Sequence, residues 1–302
     1  MKILKLAAAS LIGLSSLTWA GSINPNVIDS DAKWFFHLNN ERLNESELLK
    51  VFKPEIEKKI KNAKELQLIG FNPLTDLNSV TMYGNSYQRT GSVLILDGQF
   101  NSNEILTLAK EQFKNQSSDY RGYQILFWGQ GVKSVYVAFY DNTKIVFARD
   151  LDTLKKAVDV MDGTAKNISQ SENTLLDNAY GNIVTARVVD FNPKIKKPMK
   201  SKLFKNITEM TYNSGEEGSQ MSSQLSLKGA DLEVSSLLKD MVTGLKALLL
   251  LTADQQKVIN TFLKPIQINQ DGESVNISLK TETDELINMI KECKKLKAAK
   301  KK

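Results

Sequence analysis

The sequence predicts an α+β protein built on antiparallel sheet, and three observations carry that prediction. The first is the alternation of two strands late in the chain. Met221, Ser223, Leu225 and Leu227 alternate with Gln220, Ser222, Gln224 and Ser226, and Val275, Ile277 and Leu279 alternate with Ser274, Asn276 and Ser278. One face is apolar and the other neutral and polar, the mark of an antiparallel sheet with helices on one side and water on the other. A parallel sheet, buried on both faces, would show continuous apolar runs instead. The second observation is that strand patterns come in pairs around short turns, as at Asp141-Asn142 and Asp271-Gly272. The third is that the order of elements starts twice. Each half reads β-α-β-β-α-β-β, with an extra strand and helix in the first. The chain therefore reads as two related halves of β-α-β-β-α-β type, an order that contains the split βαβ pattern.

The elements follow from local pattern. A strand is expected at Lys33 to Leu38, where Trp34, Phe36 and Leu38 alternate with Lys33, Phe35 and His37. Ser46 to about Glu65 carries helical spacing, with Pro54 suited to the first turn of a new helix. Gly70-Phe71-Asn72-Pro73 is a turn, and strands follow at Ser79 to Tyr83 and Ser92 to Phe100. Asn101 and Glu104 open a helix containing Ile105, Leu108, Ala109 and Phe113. Three more strands are expected at Tyr123 to Trp128, Ser134 to Tyr140 and Lys144 to Ala148. Asp150 caps a short helix that Gly163 stops.

In the second half, a strand at Asn182 to Val189 precedes a basic, weakly helical stretch at Lys194 to Phe204. Strands at Ile207 to Tyr212 and Ser219 to Leu227 flank a turn at Asn213 to Gly218. Asp231 caps a long leucine-rich helix, and Thr252 with Gln255 makes a second capping box for a helix ending near Leu263. A hairpin of Ile266 to Asn269 and Ser274 to Leu279 precedes a last helix from Thr283.

The ends of the chain bear on where it works. Lys2 and Lys5 precede an uncharged apolar run, Leu6 to Leu17, and Thr18-Trp19-Ala20 offers a cleavage site after Ala20. That is the layout of a secretory signal, so export to the periplasm or beyond is expected, with residues 1–20 removed. The run is shorter than the ~20 residues a spanning helix needs. The apolar window at Leu237 to Leu251 is broken by Lys239, Asp240 and Lys246, so no transmembrane segment is expected in the mature chain. Residues 21–31 and 164–178 are polar and read as linkers. They divide the chain into a first half at 32–163 and a second at 179–290, followed by a lysine-rich tail at 291–302.

Composition excludes several function classes. The formal net charge is +6. Without the two signal-peptide lysines it is +4. The last twelve residues hold seven lysines and one glutamate, so residues 21–290 carry −2. A nucleic-acid-binding domain carries its positive charge on its folded part, so no nucleic-acid partner is expected. The tail reads as a solvated terminus, or as a weak contact to an anionic surface. One cysteine, Cys293, excludes an intrachain disulfide and falls on the apolar side of the last helical pattern. One histidine, His37, gives no base-and-orienter constellation and reads as a packed or exposed strand residue. No zinc set, calcium loop or phosphate loop is present; Gly129-Gln130-Gly131 lies between strands and reads as a turn. No cofactor, metal or catalytic residue is therefore expected. Most of the aromatics read as core or cross-strand pairs; Tyr136 and Tyr140 share one face of their strand, which, if exposed, would be a platform for sugar or peptide.

Three segments, Asp31-Ala32-Lys33-Trp34 to Leu38, Gly70 to Gly84 and Ala157 to Gly163, resemble a family of uncharacterised exported bacterial proteins. Its members pair an ADAKW-type first strand with an FGF-[DN]-P-x-x-DL-x-S-V-T-φ-YG segment, which stands here as GFNPLTDLNSVTMYG. The resemblance implies export and a shared fold, and brings no catalytic residues. The expectation is an exported, non-catalytic envelope protein that binds a protein or polymer through a sheet face. The candidate residues are Gln220, Ser222, Gln224, Ser226, Asn276 and Ser278, whose amides and hydroxyls hydrogen-bond a partner without the desolvation cost of ions. The alternative is a carboxylate-dependent hydrolase acting on an envelope polymer.

Overall fold

Twelve strands form one continuous antiparallel sheet. The computed structural model describes residues 22–63, 66–67, 70–113, 117–128, 134–176, 182–191, 206–252 and 257–299. The expected signal segment 1–20, the expected turn at Gly129-Gln130-Gly131, the basic, weakly helical stretch expected at Lys194 to Phe204 and Gln255 of the expected second capping box lie outside those residues.

The first half contributes β1 (Trp34–Asn39), β2 (Leu77–Gly84), β3 (Ser92–Gly98), β4 (Ser117–Tyr120), β5 (Tyr123–Trp128), β6 (Val135–Phe139) and β7 (Lys144–Ala148). The second contributes β8 (Val184–Val188), β9 (Ile207–Glu217), β10 (Gln220–Gly229), β11 (Gln267–Asp271) and β12 (Ser274–Glu282). The sheet runs β11-β12-β10-β9-β8-β1-β2-β3-β7-β6-β5-β4. The first strands of the two halves, β1 and β8, pair at the centre, with Phe36 opposite Ala186. Outward from that seam both halves wind alike: three strands in order, then the last strand of the half, then the one before it. The first half adds β5 and β4 at its margin. Every neighbour pair is antiparallel, and β10 and β11, which both run antiparallel to the intervening β12, are therefore parallel to each other, as the strands of a split βαβ unit are.

Seven helices accompany the sheet among the described residues: α1 (Asn40–Glu45), α2 (Glu47–Asn62), α3 (Ser102–Phe113), α4 (Leu151–Met161), α5 (Leu232–Thr252), α6 (Lys257–Leu263) and α7 (Thr283–Ala299). Capping follows the sequence signals. The Asp150 carboxylate accepts from Thr153 N at 2.9 Å and the Asp231 carboxylate from Val234 N at 2.8 Å. Helix α1 has no apolar period to announce it, and forms because the Asn39 side chain accepts from Arg42 N at 2.9 Å. Strand β4 is mostly exposed and equally unannounced; the left-handed pair Arg121-Gly122 turns it back onto β5. Helix α2 runs straight through Pro54, where two helices were expected.

Residues on one side of the sheet can be followed across it by register. Gln267, Ser278, Gln224, Asn213 and Thr185 lead through His37 and Thr81 to Ile95, Val146, Ala138 and Ile125. In the first half this side is apolar, and α4 covers it: Leu154, Ala157 and Val158 pack with Phe35, Ile95, Ala138 and Val146. Ile105 of α3 packs on the opposite side, with Leu96, Val137 and Ile145. The second half keeps the expected one-sided cover. Val234 and Leu238 of α5 pack with Ile207, Met210 and Val275 on the side opposite Gln224.

Several expectations are corrected. The described parts of the two expected linkers, 22–31 and 164–176, are packed into the fold. Ile23, Val27, Ile28, Ile168, Leu175 and Leu176 are buried in the first-half core, and Asp29 bridges to Asn167. Their asparagines and serines read as loop but serve as caps: Asn167 and Gln170 complete a capping box, and Asn173 Nδ2 donates to the carbonyls of Ser30 and Ala32. On β1 the buried residues are Phe35, His37 and Asn39, while Trp34, Phe36 and Leu38 are half-buried. The expected turn at Asn213 to Gly218 is mostly strand; β9 continues to Glu217, and Gly218, in a left-handed conformation, makes a two-residue hairpin with Ser219. Cys293 is exposed. The tail is helical to Ala299, and Lys294 pairs with Glu55 at 2.5 Å.

Candidate functional site

All six residues picked from the sequence project from one side of β10 and β12. Ser226 faces Asn276, and Gln224 faces Ser278. Ser222 and Gln224 are exposed, and the other four are half-buried. The side chains also bind one another: Gln224 Nε2 donates to Asn276 Oδ1 at 3.4 Å, and Gln220 Nε2 to Glu282 Oε1 at 3.0 Å. Ser222 Oγ donates to the Gly215 carbonyl at 3.4 Å.

The structure adds partners that the sequence reading missed. Asn213 of β9 faces Gln224, and Asn182 Nδ2 donates to Asn213 Oδ1 at 3.3 Å. Gln267 of β11 faces Ser278. With Ser222, Pro265 and Lys280 these residues line a concavity of about 460 Å³. Asn213 escaped notice because asparagine was read as the start of a turn; its alternation with Thr211 was the available signal. Thr185 closes the inner end of the row, and its buried hydroxyl has no hydrogen-bond partner. Beyond it His37 is buried, with Nδ1 and Thr81 Oγ1 2.9 Å apart, so of the packed and exposed readings the packed one holds.

The neutral row is framed by charge, which corrects the reading of it as nearly charge-free. Lys280 faces Ser222 and Glu282 faces Gln220 at one end. At the other, Glu209 accepts from Arg187 Nη2 at 3.0 Å and from Lys228 Nζ at 3.2 Å. Burial would raise the Glu209 carboxyl, but those two cations outweigh it and hold it below its ordinary value. Among the described residues no helix covers this polar side of the second half.

Other clusters are committed to the fold. Tyr140 and Tyr123 stack with ring centroids 4.8 Å apart, and both hydroxyls donate to Asp162 Oδ1 at 2.8 Å. Tyr136 packs against Phe127 at 4.9 Å and against the core. These tyrosines are therefore packed under α4, as core or cross-strand aromatics, and form no exposed platform. Asp29, Tyr83, Asp150, Asp152 and Lys156 line a second concavity, of about 210 Å³. There Asp29 is bound to Lys156 at 2.6 Å, and Asp150 is spent on capping α4. Glu41 is pushed up by burial and then by Glu45 and Asp97, but it lines neither concavity. No group of three metal-ligating side chains occurs among the described residues.

The segments that carry the family resemblance also have structural explanations. Trp34 Nε1 donates to the Ser86 carbonyl at 2.8 Å, and its ring lies over Gly84, where a Cβ would approach it to 2.7 Å. Asn72 and Asp76 close their own turn, and Asn40 Nδ2 donates to the carbonyls of Pro73 and Leu77.

No protein-family model and no curated protein matches the chain. Among solved structures it is similar to crystal forms of TP0453. Form IV aligns with a TM-score of 0.47 at 11% identity, over 91% of this chain and 99% of that one. Form I aligns at 0.47 and 11%, over 90% and 98%, and form III at 0.46 and 10%, over 89% and 98%. No helix among the described residues is long and apolar enough to cross a membrane.

Proposed function

We propose that this chain is an exported, non-catalytic protein of the cell envelope that binds a protein or polymer partner through the polar sheet face of its second half. The observation that carries the reading is the uncovered row of amides and hydroxyls around Gln224, Asn213 and Ser278, recessed in a concavity of about 460 Å³. A sheet face with nothing over it can accept a flat or extended partner, and neutral groups lose less on desolvation than ions do. The charges at either end give such a partner a register. The N-terminal signal pattern and the resemblance to exported proteins support the location. The common winding of the two halves supports an internal duplication, after which one half kept a second helical cover and the other stayed open. The alternative, a carboxylate hydrolase, has weaker support, because the acids of the Asp29 concavity are tied to Lys156 and to the α4 cap.

The test replaces Ser222, Gln224 and Asn276 with lysine together. Surface changes of this kind shift stability by about 0.5 kcal/mol each, so the variant should fold. It should no longer co-sediment with envelope fragments that retain the native chain, and a photo-crosslinker at position 224 should mark the partner. A folded triple variant that co-sediments as well as the native chain refutes the reading.

A further inference from the structure

Helix α5 carries a second surface, on the side of the sheet away from the polar row. Val234, Leu238, Met241, Leu245 and Leu249 recur three or four residues apart and form one apolar stripe. Its first half is packed on the sheet: Val234 is 8% exposed and Leu238 0%. Its second half is bare: Leu245 is 53% exposed and Leu249 41%. Leu248 and Leu251 widen the bare part, so its exposed leucines span about 160° of the helix at 100° per residue. The overhang is held in place, since Lys246 Nζ donates to the Ile266 carbonyl at 2.6 Å and ties α5 to the segment leading into β11. Phe262 of α6, which packs against α5, extends the same apolar character.

From this we infer that the outer half of α5 lies in the surface of an anionic lipid layer. The width of the face favours lipid over a partner helix. A helix–helix seam uses a narrow stripe, whereas an interfacial helix buries a broad apolar face among headgroups and acyl chains. Charge complementarity favours an anionic layer. Helix α6 packs against α7, and α7 packs against α2. The end of α7 presents exposed Lys291, Lys294 and Lys295, and α2 presents exposed Lys50, Lys53, Lys58 and Lys61; Lys50, Lys294 and Lys295 are paired with Glu47, Glu55 and Glu292, and the other four add positive charge. The chain would thus rest on lipid by its helices and turn its polar sheet face outward, although the two surfaces stand or fall separately.

Vesicle flotation tests the inference with the full mature chain. Vesicles of phosphatidylcholine with phosphatidylglycerol should bind it, phosphatidylcholine alone should bind it weakly, and salt should reduce the binding. The variant L245S/L248S/L249S should bind at least about tenfold less, because three apolar anchors are lost. Its melting temperature should not fall, since these side chains are exposed. In a second arm, L248C/C293S carrying an environment-sensitive dye should shift to the blue when anionic vesicles are added. Three results overturn the inference: native binding by the serine variant, an unshifted dye at position 248, or a native dimer that the serine variant turns into a monomer. The last would assign the face to a second copy of the chain.

Discussion

The two halves share a strand order and a sheet but differ in what covers them. In the first half α4 and α3 lie on opposite sides, and the chain before β1 and the strap after α4 seal the α4 side. In the second half α5 covers one side, and its buried core is Ile207, Val234, Leu238 and Val275. The same winding thus yields a closed scaffold and an open surface. The difference lies in what each strand presents on the α4 side: Ile95, Val146 and Ala138 in one half, Asn213, Gln224 and Ser278 in the other. A sheet face of amides gains nothing from an apolar helix laid over it, so it stays available.

The largest expected effect tests the closed half. Phe35 is 1% exposed and sits on β1 beside the seam. Phe35→Ala should cost about 3–5 kcal/mol, measured by chemical denaturation, with loss of structure in both halves. Leu238→Ala removes the centre of the smaller core. It should cost about 2–4 kcal/mol, and hydrogen exchange should rise in β10 and β12 while β2 and β3 keep their protection. Equal loss of protection in both halves would mean that they open as one unit and would erase the contrast drawn here. Gly84→Ala puts a Cβ 2.7 Å from the Trp34 ring and 2.8 Å from the Gly91 carbonyl. Backbone cannot yield as a flexible side chain does, so a loss of about 1–3 kcal/mol is expected in thermal unfolding.

Much of this contrast was readable in the sequence, and the residues show why part of it was not. The alternation of β10 and β12 gave the sheet, its one-sided cover in the second half and six residues of the open face. Period-2 patterns survive because each side chain answers to one environment. Strand β1 opens on three aromatic residues, so its pattern does not choose a face, and burial there is set by α4, an element more than a hundred residues away. Residues 21–31 and 164–178 misled because a few apolar anchors among asparagines and serines look like loop until the asparagines are seen to cap. Asn213 was lost to the same bias. The bare half of α5 was invisible for the opposite reason: its leucines keep perfect helical spacing, and only the extent of the sheet beneath decides which of them are covered.

The smallest expected effect sharpens the comparison at the rim of the open face. Glu209 is flanked by Arg187 on β8 and Lys228 on β10, which hold its carboxyl below the ordinary value of 4.5 despite partial burial. A carboxyl lowered in the folded state adds stability that is complete above its unfolded value and is lost as pH falls through the folded value. Acid should therefore loosen the second half first. Hydrogen exchange of β8, β9 and β10 should rise below about pH 4.5, before that of β2 and β3. Glu209→Gln keeps the shape of the side chain and removes its titration. Its stability should change less with pH below 4.5 than the native chain's, by no more than about 1 kcal/mol, because Lys228 is 42% exposed and water screens the pair. A variant with the native pH slope would show that Glu209 is not what ties the open half together in acid. The earlier loosening of that half would then have to come from its smaller core alone.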